Sequence, residues 1–208
     1  VLNVQQEEFF ARHDEELLPR LRQARIGIAG AGGLGSNVAC CLARAGVGQL
    51  VFADFDVVEP SNLNRQQYFL DQIGQAKVDA LQENLRRINP FSSYEGHRVR
   101  LDAENIPQLF EEVNIMVEAF DSAAMKAVLV DAWVARWPQR PIIVGSGMGG
   151  FGGNNDIRCQ RLFGQVYLCG DGRTDCDDRL PMAPRVTIVA AMQANLVLEL
   201  LAGKSSIS

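Results

Sequence analysis

Residues 25–66 read RIGIAGAGGLGSNVACCLARAGVGQLVFADFDVVEPSNLNRQ, and the reading of this stretch decides the fold. Ile26, Ile28 and Ala29 form a short apolar run that ends at Gly30-Ala31-Gly32-Gly33-Leu34-Gly35, where a strand has to turn sharply and a helix has to begin. Glycines at such a turn permit positive φ and leave no Cβ in the way of an anion. Backbone N–H groups and the N-terminus of the helix near Leu34 can then face phosphate. The helix is expected to run to Ala45 and close at Gly46-Val47-Gly48, and a second strand, Gln49 to Ala53, follows. That strand delivers Asp54-Phe55-Asp56, about 20 residues past the glycines, where a carboxylate can accept hydrogen bonds from ribose hydroxyls. Gly30, Gly32, Gly33, Gly35, Asp54 and Asp56 are thus the expected nucleotide-binding residues. The nucleotide itself is unspecified at this point, and a glycine turn that only packs helix on strand is the alternative.

Working outward, residues 7–23 (EEFFARHDEELLPRLRQ) carry Phe9, Phe10, Leu17, Leu18 and Leu21 at helical spacings, broken at Pro19, and predict a helical N-terminal arm over residues 1–23. Beyond the second strand, VVEPSNLNRQQYFL (residues 57–70) crowds Asn62, Asn64, Arg65, Gln66 and Gln67 into six positions, more long donors than a purely structural loop needs. A helix from Lys77 to Ile88 follows, with Val78, Leu81, Leu85 and Ile88 on one face. Lys77 on its first turn opposes the helix dipole, a placement that makes sense if an anion lies between. Strands are expected at Arg98–Leu101 and Val113–Ala119, the latter ending in Phe120-Asp121-Ser122 before a helix from Ala123 to Trp137. In a parallel sheet ligands collect at the carboxyl ends of strands, so Asp54, Asp56 and Asp121 can converge on one crevice. Asp121 there is suited to a magnesium ion shared with phosphates, or to capping the helix that follows. A buried strand at Pro141–Ser146, a flexible glycine-rich connection over residues 145–153, a hairpin (Ile157–Leu162 and Gln165–Cys169 through Phe163-Gly164), a mobile polar loop (Gly170–Leu180) and a final helix from Pro184 or Arg185 to Leu201 complete the chain.

The 208 residues, 47% of them hydrophobic, suffice for one core and one domain. A net charge of -5 without any Lys/Arg run argues against a nucleic-acid partner. No uninterrupted apolar run of 18 residues and no signal-peptide order at the N-terminus are apparent, so no membrane partner and a cytoplasmic location are expected. Five cysteines, two of them adjacent at Cys40-Cys41, predict reduced thiols, and Cys159, Cys169 and Cys176 lack the spacing of a zinc site.

GAGGLGS, DFDxVEPSNLNRQ, GQAKVDA followed by RINP, and AFDS together resemble the ThiF/MoeB/HesA superfamily of ubiquitin-activating-like adenylyltransferases, over residues 25 to about 150. The tail MAPRVTIVAAMQANLVLELLAG looks like the short ThiF-like branch of thiamine biosynthesis. The resemblance implies an α/β, Rossmann-like, mostly parallel sheet with helices on both faces and a short antiparallel C-terminal extension. It also implies ATP and magnesium as cofactors, a homodimer, and a ubiquitin-like sulfur carrier (ThiS-like) as partner, whose C-terminal glycine carboxylate is adenylated with release of pyrophosphate in thiazole biosynthesis. By resemblance Asp54 holds the ribose, Asn62 and Arg65 the phosphates, Lys77 the phosphates and transition state, and Asp121 the magnesium, with Gln66 also among the nucleotide-binding residues; Arg65, Lys77 and Asp121 are the catalytic set. The chain departs from longer relatives in lacking their paired C-x-x-C zinc ligands. Relatives that link covalently to the carrier use a loop cysteine, for which Cys169 or Cys176 are the candidates, and Arg12 or Arg20 could supply an arginine to a partner's phosphates. An NAD-binding oxidoreductase shares the glycine fingerprint but calls for a catalytic domain and a proton donor for which the chain has no spare length. A catalytically silent binding subunit is the other alternative.

Overall fold

The structure, a computed structural model, describes residues 5–174, 178–204 and 207. Its frame is a seven-stranded sheet of β1 (Arg25–Ala29), β2 (Gln49–Ala53), β3 (Ser93–His97), β4 (Ile115–Glu118), β5 (Ile142–Gly145), β6 (Arg158–Phe163) and β7 (Val166–Gly170), in the order β3-β2-β1-β4-β5-β7-β6. Neighbouring strands are parallel except β6 and β7, which form an antiparallel hairpin at one edge. The chain runs outward from β1 through β2 to β3, then returns to place β4 on the other side of β1. That reversal leaves a crevice at the carboxyl ends of the strands. The expected α/β fold, with its antiparallel C-terminal extension, is the one observed.

Strand alternation divides the apolar residues between two cores. Ile26, Ile28, Leu50, Phe52, Val117 and Ile143 pack on one face beneath α3 (Gly33–Ala45), α4 (Lys77–Ile88) and α7 (Ala183–Ala202). Ala29, Val51, Met116, Ile142 and Val144 pack on the other with Ile106 of α5 (Asn105–Leu109) and Leu129 and Trp133 of α6 (Ala123–Arg136). The helix α3 can lie close to β1 because Gly35 has no side chain: a Cβ there would stand 1.9 Å from the Gly30 carbonyl oxygen.

Several boundaries differ from expectation, each for a physical reason. The third strand is Ser93–His97, not Arg98–Leu101. SYEGH sits at the sheet edge with a single buried side chain, Tyr94, so it lacks an apolar signature, whereas Val99 and Leu101 are apolar because they pack on the second core from a loop. The five-residue α5 was not expected; Asp102 Oδ1 accepts from the Glu104 and Asn105 amides to start it. The N-terminal arm is two short helices, α1 (Gln6–Phe10) and α2 (Leu18–Gln23). Pro19 lies in the first turn of α2, where a missing N–H costs nothing, so it begins a helix instead of breaking one. Finally, α7 is 20 residues long with a mean hydropathy of 1.4 over an 18-residue window, enough by composition to span a bilayer. Arg185, Gln193, Asn195 and Glu199 hide this in the sequence. In the fold its Val186, Val189, Ala190, Leu196 and Val197 are buried in the first core.

Candidate functional site

A hollow of about 900 Å³ opens at the carboxyl ends of β1, β2, β4 and β5. Its floor is the glycine turn. Gly30 takes φ +103, and a Cβ on it would meet the Ala119 carbonyl at 2.8 Å, so only glycine lets the chain leave β1 here. The first amides of α3 have no intrahelical acceptor and no side chain caps them, and Gly32, Gly33 and Leu34 line the hollow. Asp54 at the end of β2 braces the turn: Oδ2 accepts from Ala31 N–H at 2.7 Å and Oδ1 from Asp56 N–H at 2.9 Å. Each oxygen keeps a second lone pair for a ribose hydroxyl.

The segment 57–70 folds back over this floor because α3 clamps it. The Asn37 amide donates to the carbonyls of Gly33 and Arg65, Ser36 Oγ accepts from Gln67 N–H, and the Tyr68 hydroxyl donates to the Ala31 carbonyl at 2.6 Å. The clamp lays Arg65 along the glycine turn, its Nε 3.4 Å from where a Gly33 Cβ would be. The guanidinium also donates to Asn64 Oδ1 at 2.8 Å. Lys77, 6% exposed, donates from Nζ to Asp56 Oδ2 at 2.9 Å, while its own amide donates to the Asp56 carbonyl at 3.0 Å. Gln66 is buried against the same hollow with Oε1 lacking a partner, a polar atom whose burial costs free energy until a donor reaches it.

The opposite wall comes from β4, β5 and the C-terminal third. Glu118, wholly buried at the end of β4, accepts from Phe120 N–H at 2.6 Å, Gly145 N–H at 3.2 Å and Lys126 Nζ at 2.8 Å. Burial pushes this carboxyl up from its ordinary value, and Lys126 and the two amides oppose the push. Lys126 also donates to the Gly145 carbonyl at 2.9 Å and lines the hollow. Above it, the expected flexible strap 145–153 is instead stapled by Arg185 of α7, 4% exposed. Its guanidinium donates to the carbonyls of Gly152 and Gly147 and to Asp171 Oδ2 at 2.5 Å. Burial alone would raise Asp171, but hydrogen bonds from Thr174, the Arg173 amide and the Arg185 charge together hold it below the ordinary aspartate value. Of the polar loop expected to be mobile, residues 170–174 are therefore anchored through Asp171.

Of the residues expected from sequence, Gly30, Gly32, Gly33, Asp54, Asp56, Asn62, Arg65, Gln66, Lys77 and Asp121 all line this one hollow. Gly35 does not, and its requirement is the helix-to-strand approach described above. Asn62 is spent locally, its Oδ1 accepting from Glu59 N–H at 3.1 Å in a capping box that shapes the 3₁₀ turn Pro60–Asn64. Ser122, not Asp121, caps α6 through Met125 N–H, which leaves the exposed Asp121 carboxylate without a hydrogen bond among the described residues. Arg20 is occupied by its own chain, donating to the Ala202 carbonyl at 2.9 Å at the end of α7, whereas Arg12 is exposed. Cys169 is buried in the sheet, and Cys176 lies outside the described residues. Sequence reasoning missed Ser36, Asn37, Glu118, Lys126, Asp171 and Arg185. A glutamate ending the apolar run IMVE was a signal for the Glu118 site; the Asp171–Arg185 pair left none.

A model described as the ThiF family matches residues 5–208. The adenylyltransferase and sulfurtransferase UBA4 of Eremothecium gossypii is 32% identical over 191 residues, covering 88% of this chain and 43% of that protein. The molybdopterin-synthase adenylyltransferase of Escherichia coli is 32% identical over 194 residues, covering 88% of this chain and 75% of that one. Among solved structures, the E. coli tRNA N6-threonylcarbamoyladenosine dehydratase TcdA in complex with AMP superposes with a TM-score of 0.84 at 20% identity, covering 98% of both chains. Its complex with ATP gives 0.82 at 22% identity, covering 97% and 98%. The chain spans less than half the length of its UBA4 relatives, and the structural likenesses, at these identities, show the fold.

Proposed function

We propose, from the premise that this chain belongs to the ThiF family, that it is an ATP-dependent adenylyltransferase. Its substrate would be the C-terminal glycine carboxylate of a ubiquitin-like sulfur carrier of the ThiS kind, in thiazole formation for thiamine, and it would work as a homodimer. The observation that carries this reading is the meeting of Arg65, Lys77 and Asp121 with the uncapped N-terminus of α3 around one hollow. Relatives named adenylyltransferases support it.

The chemistry asked of such a site is modest. A carboxylate needs no general base, so catalysis reduces to holding two anions together and offsetting charge that develops on the α-phosphate and the departing pyrophosphate. Backbone amides of the glycine turn and the α3 dipole would take phosphate oxygens, and Asp54 the ribose. Arg65, lying across the turn, and Lys77, entering from the N-terminus of α4, would flank the phosphorus. Orphaned Gln66 Oε1 would receive a donor from the nucleotide. Asp121, an unpartnered hard-oxygen donor facing the same hollow, fits a magnesium ion, which when bound would neutralise phosphate charge. Gly147, Gly172 and Pro181, which line the hollow with little side-chain bulk, would suit an extended, glycine-ended tail.

Carrier-dependent exchange of labelled pyrophosphate into ATP tests the reading. Arg65→Ala and Lys77→Ala should each lower it by roughly a hundredfold or more, about 3 kcal/mol of transition-state stabilisation. Circular dichroism should show the fold retained. Mass spectrometry of a ThiS-like carrier should show an added AMP only with unaltered protein. Near-normal exchange in both variants would remove Arg65 and Lys77 from the mechanism.

A further inference from the structure

The hairpin at the sheet edge holds chemistry that the nucleotide hollow does not use. Cys159 of β6 and Cys169 of β7 are opposed residues in the antiparallel register, so their side chains share one face of the ladder. Both are free thiols, and their Sγ atoms stand 2.9 Å apart. A disulfide spans about 2.05 Å, so closing one requires roughly 1 Å of further approach.

The two sulfurs differ in access and in acidity. Cys169 is fully buried in the first core, whereas Cys159 is partly exposed on an edge strand whose residues mostly meet solvent. The hydrogen bond with Cys169 lowers the Cys159 thiol below its ordinary value, against burial and the nearby Glu199 carboxylate. The same bond, then burial, push Cys169 up. An accessible thiolate with a buried thiol beside it is the arrangement that attacks a disulfide and then resolves the adduct.

We propose that Cys159 and Cys169 are a thiol–disulfide exchange site that takes a low-molecular-weight disulfide as oxidant, with Cys159 attacking and Cys169 resolving. The Cys159 thiolate attacks one sulfur of the disulfide RSSR and expels RS⁻, which takes up a proton as RSH. Cys169 then gives up its proton and attacks Cys159 Sγ, expelling the second RS⁻. One disulfide is consumed and one formed, two RSH leave, and the protein loses two hydrogen atoms. The closed pair reaches the nucleotide site through one hydrogen bond: the Cys169 carbonyl accepts from Ser146 N–H at 3.0 Å, and Ser146 lines the hollow.

The test uses the full, pre-reduced chain with oxidised glutathione and non-reducing peptide mapping, and requires neither nucleotide nor carrier, so it stands apart from the adenylation reading. The unaltered chain should yield a Cys159–Cys169 cross-link, lighter by two hydrogens and restored by dithiothreitol. Cys169→Ser should trap glutathione on Cys159, accumulating roughly tenfold faster than on Cys40 or Cys41, whose thiols burial pushes up. Cys159→Ser should leave Cys169 unmodified. A glutathione adduct that persists on Cys159 in the unaltered chain, a cross-link from Cys159 to another cysteine, or reaction confined to Cys40 and Cys41 would overturn the proposal.

Discussion

The wall of the hollow that carries the glycine turn and the wall that carries the glycine strap face each other, but they are held by different means. The first, β1 to residue 66, is positioned by regular structure: α3 packs on β1 through Gly35, and short side chains of α3 clamp the loop that follows. The second, residues 145–153 with 170–174, is irregular: its two segments exchange loop hydrogen bonds, such as Asp171 N–H to the Gly147 carbonyl and Gly172 N–H to the Ser146 carbonyl, both 3.3 Å, and one guanidinium, that of Arg185, ties Asp171 to two glycine carbonyls. One wall rests on packed regular structure, whereas the other adds a buried charge pair to irregular loop hydrogen bonds.

Removing the staple is the severest way to test that contrast. Arg185→Met keeps most of the apolar stem but strands Asp171 and the strap carbonyls, and should cost about 3–5 kcal/mol by denaturant titration. A loss within about 1 kcal/mol would mean that the strap is held by something else and the contrast fails. On the first wall, Gly35→Ala forces a Cβ onto the Gly30 carbonyl and should cost roughly 1–3 kcal/mol, while at Gly32 the nearest atom to an added Cβ is Gln66 Nε2 at 3.9 Å. Gly32→Ala should therefore unfold within about 0.5 kcal/mol of the unaltered chain, and should weaken ATP binding if the proposed site is right. Equal losses at the two positions would show that the turn, not the helix approach, sets the packing.

The smallest effect separates the two carboxylates by sign. Asp171 has a depressed folded pKa, so its stabilisation is present above the ordinary aspartate value and is lost as pH falls through the folded one. Glu118 has a raised folded pKa, so its contribution is present below the ordinary glutamate value and is lost as pH rises through the folded one. The stability deficit of Asp171→Asn should shrink on acidification, and that of Glu118→Gln should shrink as pH rises; slopes of the same sign would refute the assignment of burial as the stronger influence at Glu118.

What the sequence made legible follows the same division. Gly30 to Gly35, Asp54, Arg65 and Lys77 fall within one strand–turn–helix–strand unit and its return loop, where local period and spacing fix what faces what. Asp171 and Arg185 meet across a loop with no period linking them, and Arg185 sits in the first turn of a mostly apolar helix, where a lone arginine reads as a surface residue. Glu118 reads as the end of a strand, although a fully buried carboxylate must have partners, and here Lys126 supplies one from the start of α6. Ser93–His97 escaped because an edge strand with one buried side chain carries no alternation to detect.

The pairing of Lys77 with Asp56 has its own consequence. An ammonium shut away beside a helix's positive end would scavenge any stray anion, sulfate or phosphate alike, and hold it. Because Asp56 grips that ammonium from a flanking loop, an incoming polyanion at the proposed site would have to outcompete a tethered carboxylate before it gained the cation. On the proposed function the lysine would thereby be screened from weak binders and surrendered only to a ligand bearing more negative charge than one aspartate can offer.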